Sequence, residues 1–199
     1  VMLVKPKQQR SQDRINKILD AAELILEQGA LSAVTIAKVS ELAELKRTST
    51  YKFFETPEDI KLALIHRYVA LCSEGLTKDL DAKNNLDYSS CLKDCINSMI
   101  AFFKDRPGAQ KLLLENTVSP SVTSAQLHMI AAPILKYVES SIGLPNMFNK
   151  PGVFLVITQI ILSILSLNTK ENGGLTEVGL NEAARASNAY LLSCLAMPA

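Results

Sequence analysis

Glycine and proline are scarce in this 199-residue chain, eight of each, which excludes collagen-like and proline-rich classes. A membrane-spanning helix needs about 20 apolar residues. The most apolar run, residues 153–167, has only 15 and is interrupted by Thr, Gln and Ser. It reads as a buried helix, and no membrane partner is expected. The opening residues VMLVKPKQQRSQDR carry no long apolar core and no small-residue cleavage site, so no signal peptide is expected either. Four cysteines without clustered spacing do not form a secreted disulfide framework. The expected setting is a reducing cytoplasm. Strand-like alternation, internal repeats and low-complexity tracts are all missing. So are a phosphate-cradling glycine loop, a metalloprotease motif and a nucleophile elbow. Cys91 and Cys95 share a helix face, but two thiolates do not complete a zinc site, and His66 and His128 lie in different predicted helices. They read as buried, inert thiols. The expectation is no enzyme, no metal and no cofactor.

What remains is an apolar, charge-balanced chain: 48% hydrophobic and 21% charged, which is a folded globular composition. The helical period dominates. Ile15, Ile18, Leu19, Ala22, Ile25 and Leu26 form one stripe ending at Gly29. Short pieces follow near 36–43 and 47–53. Thr56-Pro57-Glu58-Asp59 supplies a cap, a first-turn proline and two acids for a long helix reaching about residue 80. Asp87 caps the next, Pro107 starts another, Pro133 sits inside a helix over about 123–142, and Thr176 caps the last. The predicted fold is all-α with about nine helices. Two domains are expected, 10–56 and 57–199.

The charge is local. Residues 1–55 hold nine Lys/Arg and seven Asp/Glu, whereas residues 56–199 hold twelve and thirteen. Residues 35–54, TIAKVSELAELKRTSTYKFF, predict two short helices about a turn near Glu44-Leu45-Lys46. The first is expected to bury Val39, Leu42 and Ala43, the second Tyr51 and Phe54. Lys46, Arg47, Thr48, Ser49, Thr50 and Lys52 are left outside, with no carboxylate from 46 to 54. Phosphates reward such cations and hydroxyls, and Arg, Lys, Ser and Thr read base edges in a major groove. A plain solvated basic face is the alternative.

The order of features resembles the N-terminal DNA-binding domain of the TetR/AcrR family of transcriptional regulators. The matching positions are Ile18-Leu19-Asp20-Ala21-Ala22, Gly29, Thr35 with Val39, Ala43, Ser49, Tyr51-Lys52-Phe53-Phe54 and Glu58-Asp59-Ile60. The resemblance implies phosphate contacts from Thr35 and Tyr51, with Lys46, Arg47, Thr48, Ser49 and Lys52 facing groove and backbone. Tyr51 could equally pack the small domain. Lys5, Lys7 and Arg10 could track a minor groove as an arm. Three departures stand out: Glu44 where the family has glycine, Lys46-Arg47 at the start of the recognition helix, and Pro57 where the family has lysine.

For the larger part, the resemblance implies a small-molecule effector site and a homodimer through the last two helices. Pocket candidates are Cys95, Met99, Phe102, Phe103, Met129, Tyr137 and Gln159; the alternative for each is ordinary core. Few charges fall there, so a mainly apolar effector is expected. Candidate dimer residues are Phe154, Ile157, Ile161 and Ile164, with Ala184, Ser187 and Leu191 on the last helix. The expected function is therefore a ligand-responsive repressor on a two-fold, double-stranded DNA operator. The other reading is a helical small-molecule or lipid-binding protein with a vestigial helix-turn-helix.

Overall fold

The computed structural model describes residues 6–116, 120–147 and 149–196, with side chains from residue 8. Among these residues there are nine α-helices and no strand. From residue 6 the basic N-terminal stretch is helical: α1 runs Pro6–Gln28, and Arg10 stands exposed on it. Lys5 and the side chain of Lys7 lie outside the described residues. A 3-10 turn, Leu31–Ala33, leads to α2 (Ile36–Leu42) and α3 (Arg47–Thr50). Then come α4 (Pro57–Leu80), α5 (Tyr88–Asp105) and α6 (Pro107–Gln110), which runs into a π-helical segment, Lys111–Glu115. The last three are α7 (Ser124–Ser141), α8 (Lys150–Asn172) and α9 (Glu177–Leu195).

The helix starts follow from local chemistry. The Thr56 hydroxyl accepts from Asp59 N at 3.2 Å while the Asp59 carboxylate accepts from Thr56 N at 2.8 Å, a reciprocal capping box. Those hydrogen bonds, the Thr56 hydroxyl's first, lower the Asp59 pKa. Asp87 caps α5, Thr123 and Gln126 form a second box on α7, and Thr176 caps α9. Between α8 and α9, Asn168 accepts from Thr176 N and donates to its hydroxyl, both at 2.9 Å. Gly179 lets α9 come this close, because a Cβ there would stand 2.4 Å from the Asn168 amide.

Pro133 inside α7 has no N–H, so the carbonyl four residues back, that of Met129, loses its helical donor. The Ser73 hydroxyl on α4 takes that place at 2.7 Å. A proline that would weaken one helix thereby becomes a bond between two.

One continuous core, including Tyr68, Phe103 and Phe154, joins the elements. At 23 residues, with a mean hydropathy of 1.9 over its most apolar window, α8 is longer than the apolar run that predicted it. By length and composition alone it could cross a membrane. Its Phe154, Ile157, Ile161 and Leu165 are fully buried against neighbouring helices, which is the packing of a core helix. Cys72, Cys91 and Cys95 are buried free thiols. Burial pushes all three pKa values up, that of Cys72 to about 12, so these thiols stay protonated and unreactive.

Ser73→Ala should remove the substitute donor and lower stability by about 1 kcal/mol. Urea denaturation with an unchanged slope would measure it; an unchanged midpoint would mean that water serves the Met129 carbonyl equally well.

Candidate nucleic-acid interface

Thr35 caps α2, its hydroxyl oxygen accepting from Lys38 N at 3.2 Å, and stays exposed. Inside, the Ser40 hydroxyl lies 2.6 Å from Ile36 O and 2.8 Å from the Thr50 hydroxyl. Ser40 has one hydrogen. It donates that hydrogen to the carbonyl and accepts from Thr50, so a buried polar pair ties α3 to α2.

The turn between them closes α2 in a Schellman motif. Leu45 N donates to Ser40 O at 2.9 Å and Glu44 N to Glu41 O at 3.1 Å. Glu44 holds the left-handed position at φ 55, where glycine is free of strain and other residues are not. The turn thus keeps the shape that glycine normally supplies.

Only four residues long, α3 is followed by tight turns in which Phe53 N and Phe54 N both donate to Thr50 O. This corrects three expectations. Thr50 is fully buried rather than outward; Tyr51 is 54% exposed rather than packed; and Leu42 is exposed rather than core. In a one-turn helix, register is decided by the residues around it, here Ser40, and not by apolar spacing. Phe54 and Ala43 remain buried, as the spacing predicts.

The outcome is a surface on which Lys46, Arg47, Thr48, Tyr51 and Lys52 are all exposed, with Ser49 half-buried. Among the described residues none of the three cations forms a salt bridge. Their charge is therefore available to a polyanion. Sequence reasoning passed over Lys38, exposed on the first turn of α2 beside Thr35. Its position three residues after the cap was the available signal.

The pocket candidates are not brought together. Cys95, Met99 and Phe103 are fully buried core, and Phe102 stacks edge-to-face on Phe103 at 5.4 Å under the Arg106 guanidinium. Met129 is exposed, as is Gln159, which donates to the Ser163 hydroxyl. Tyr137 borders a small cleft, about 80 Å³, with Leu80, Lys83, Lys136 and Ser140. Its hydroxyl donates to Asp94 at 3.1 Å and accepts from Asn85 at 2.9 Å. Burial, then the Asp94 hydrogen bond, raises its pKa.

Five dimer candidates are also corrected. Phe154, Ile157, Ile161, Ser187 and Leu191 are fully buried within the single chain, because α8 turns this face to its own core. Ile164 and Ala184 are half-buried. The outward stripe of α8 is Val156, Ile160, Ile164 and Leu167, the last 60% exposed; α9 adds Leu192.

An exposed basic, hydroxyl-rich short helix locked on a preceding helix by a tight turn defines the class: a helix-turn-helix unit carried on a larger all-α bundle. No protein-family model and no curated protein matches the sequence. Solved structures do match in shape. A TetR-family transcriptional regulator from Streptomyces coelicolor is 22% identical, with a TM-score of 0.69 covering 91% of this chain and 99% of its own. The TetR family repressor AlkX from Dietzia sp. strain DQ12-45-1b, implicated in biodegradation of n-alkanes, is 16% identical. It has a TM-score of 0.58 over 91% of this chain and 96% of its own. The chain has the TetR-family fold.

Glu44→Gly should relieve the left-handed strain and raise stability by about 0.5–1 kcal/mol, once the greater freedom of unfolded glycine is subtracted. Thermal unfolding with an unchanged far-ultraviolet spectrum would show it; a loss of stability would mean that the Glu44 side chain contributes more than its backbone costs.

Proposed function

We propose that this chain is a TetR-type transcriptional regulator, a repressor that binds a two-fold double-stranded DNA operator as a homodimer in the cytoplasm. A small, mainly apolar effector releases it. Residues 10–56 form the DNA-binding unit and 57–199 the effector-binding and dimerisation unit. The observation that carries this reading is the unpaired, exposed set Lys46, Arg47 and Lys52 with Thr48 and Tyr51 on the helix-turn-helix. A reader that had lost its function would have no reason to keep three cations free of acids beside a strained but intact turn.

The roles divide by reach. Thr35, Lys38, Tyr51 and Lys52 contact phosphates, while Lys46, Arg47, Thr48 and Ser49 face the groove. The stripe Val156–Ile160–Ile164–Leu167 and Leu192 supply the apolar face for a second copy. Two-fold pairing places two recognition helices about one DNA turn apart, about 34–36 Å. By linkage, an effector that prefers the unbound arrangement lowers DNA affinity, and DNA lowers effector affinity by the same factor.

Fluorescence anisotropy on DNA from upstream of its own gene, against scrambled DNA across a salt series, tests the reading. Expected is sequence-dependent binding whose log affinity falls with log salt at about 0.9 per phosphate neutralised. Equal, weak binding to both, followed by failure of a random-library selection, would leave a helix-turn-helix without an operator. Arg47→Ala should weaken operator binding by about 1–3 kcal/mol if it reads a base; equal weakening on every sequence would make it a phosphate contact. Leu167→Glu should convert a dimer to a folded monomer in light scattering. An unchanged dimer mass would move the interface elsewhere.

A further inference from the structure

The backbone runs from the helix-turn-helix unit into α4 through residues 55–57, and the unit's orientation depends further on what α1 leans against. Its main supports are α4 and α6, with Lys111 of the π-helical segment beside them. Along α4, Arg67 bonds Asp20 at 2.6 Å and Glu23 at 3.5 Å. A body held along one helix alone can still rock about that helix. The contact on α6 is a second, separate support.

That contact is built closely. A Cβ on Gly108 would stand 2.4 Å from the Tyr68 hydroxyl and 3.3 Å from Leu26 Cβ, so α6 fits between α4 and α1 only with glycine there. One residue past α6, the half-buried Lys111 sends its ammonium across the joint to the carbonyls of Leu26 and Gly29, the latter at 2.8 Å. These are orphan acceptors at the negative end of α1, where a cation is favoured. No carboxylate pairs with Lys111 among the described residues. Its π-helical segment is in turn held to α8, whose Ser166 hydroxyl donates to Leu114 O.

We propose that Lys111 is a positioning residue for DNA binding: a cap on α1 donated from the larger unit, which stops the helix-turn-helix from rocking about α4 and ties its orientation, through the π-helical segment, to α8. The proposal rests on the DNA-binding reading above, but its first readout does not. Lys111→Met keeps the aliphatic stem and loses the donor; Lys111→Arg restores a charged donor.

Hydrogen exchange on the full chain should show faster exchange across 25–34 in Lys111→Met, with the α4–α7 core unchanged. Operator affinity should fall about tenfold, within the usual coupling range between sites, while the salt slope stays that of wild type because Lys111 touches no phosphate. Lys111→Arg should recover most of both. Unchanged local exchange, or uniformly faster exchange with intact operator affinity, would overturn the proposal by making Lys111 dispensable or merely stabilising. If wild type itself failed to discriminate operator from scrambled DNA, the function reading would fall. The exchange comparison would still decide whether Lys111 holds α1.

Discussion

The buried hydroxyl pair between Ser40 and Thr50 is the interaction on which the candidate interface depends. A four-residue helix has no stability of its own, since nucleation alone costs more than one turn returns. Thr50 anchors α3 from beneath, and Phe54 closes its far end. With those two side chains inside, Arg47, Thr48, Tyr51 and Lys52 have to point out. The chemistry offered to a polyanion is therefore the outer side of an inner hydrogen bond. Removing the Ser40 hydroxyl would leave the buried Thr50 hydroxyl without this partner, whereas removing that of Thr50 would still leave Ser40 bonded to Ile36 O.

The helix caps were legible because a cap is local: Thr56-Pro57-Glu58-Asp59, Asp87 and Thr176 declare their helices within four residues. The left-handed turn at Glu44 was legible by position, through the place that glycine usually takes. Faces were legible only where a helix is long and amphipathic, as in α1. On α8 nearly every position is apolar, so periodicity could not say which stripe faces inward. Apolar character alone offers Phe154, Ile157 and Ile161 to a partner, yet the chain's own core claims them. On α3 the helix is too short for a period to exist, and Thr50 and Tyr51 exchanged sides. Three of the pocket candidates turn out to be core residues of this fold for a related reason. Apolar side chains at helical spacing close a core as readily as they line a cavity, and here Cys95, Met99 and Phe103 close one.

Contacts between distant residues left no trace in the sequence. Ser73 serves the Met129 carbonyl 56 positions away, and Lys111 reaches back 85 positions to Leu26. Each answers an orphan acceptor, one made by a proline and one by a helix end. Looking for what proline and helix termini leave unsatisfied would direct attention to such sites, but only a three-dimensional arrangement says which donor arrives.

One of these orphan acceptors joins α1 to the larger bundle, and the other joins two helices within that bundle. Ser73 fastens α4 to α7, and Arg67 with Lys111 fastens α1 to α4 and to the segment after α6. Contacts run from α7 and α8 to α1 by two routes, one through α4 and one through the π-helical segment. The core between them is close-packed, with Tyr68 and Gly108 in contact distance, so it transmits a displacement rather than absorbing it. In a two-fold assembly, a small rotation of each helix-turn-helix about α4 would change the separation of the two recognition surfaces directly. The spacing of the DNA grooves is fixed, and the cost of mismatch falls on every phosphate contact at once. That geometry would let a modest repacking near α7 act on DNA affinity without touching a DNA-facing residue.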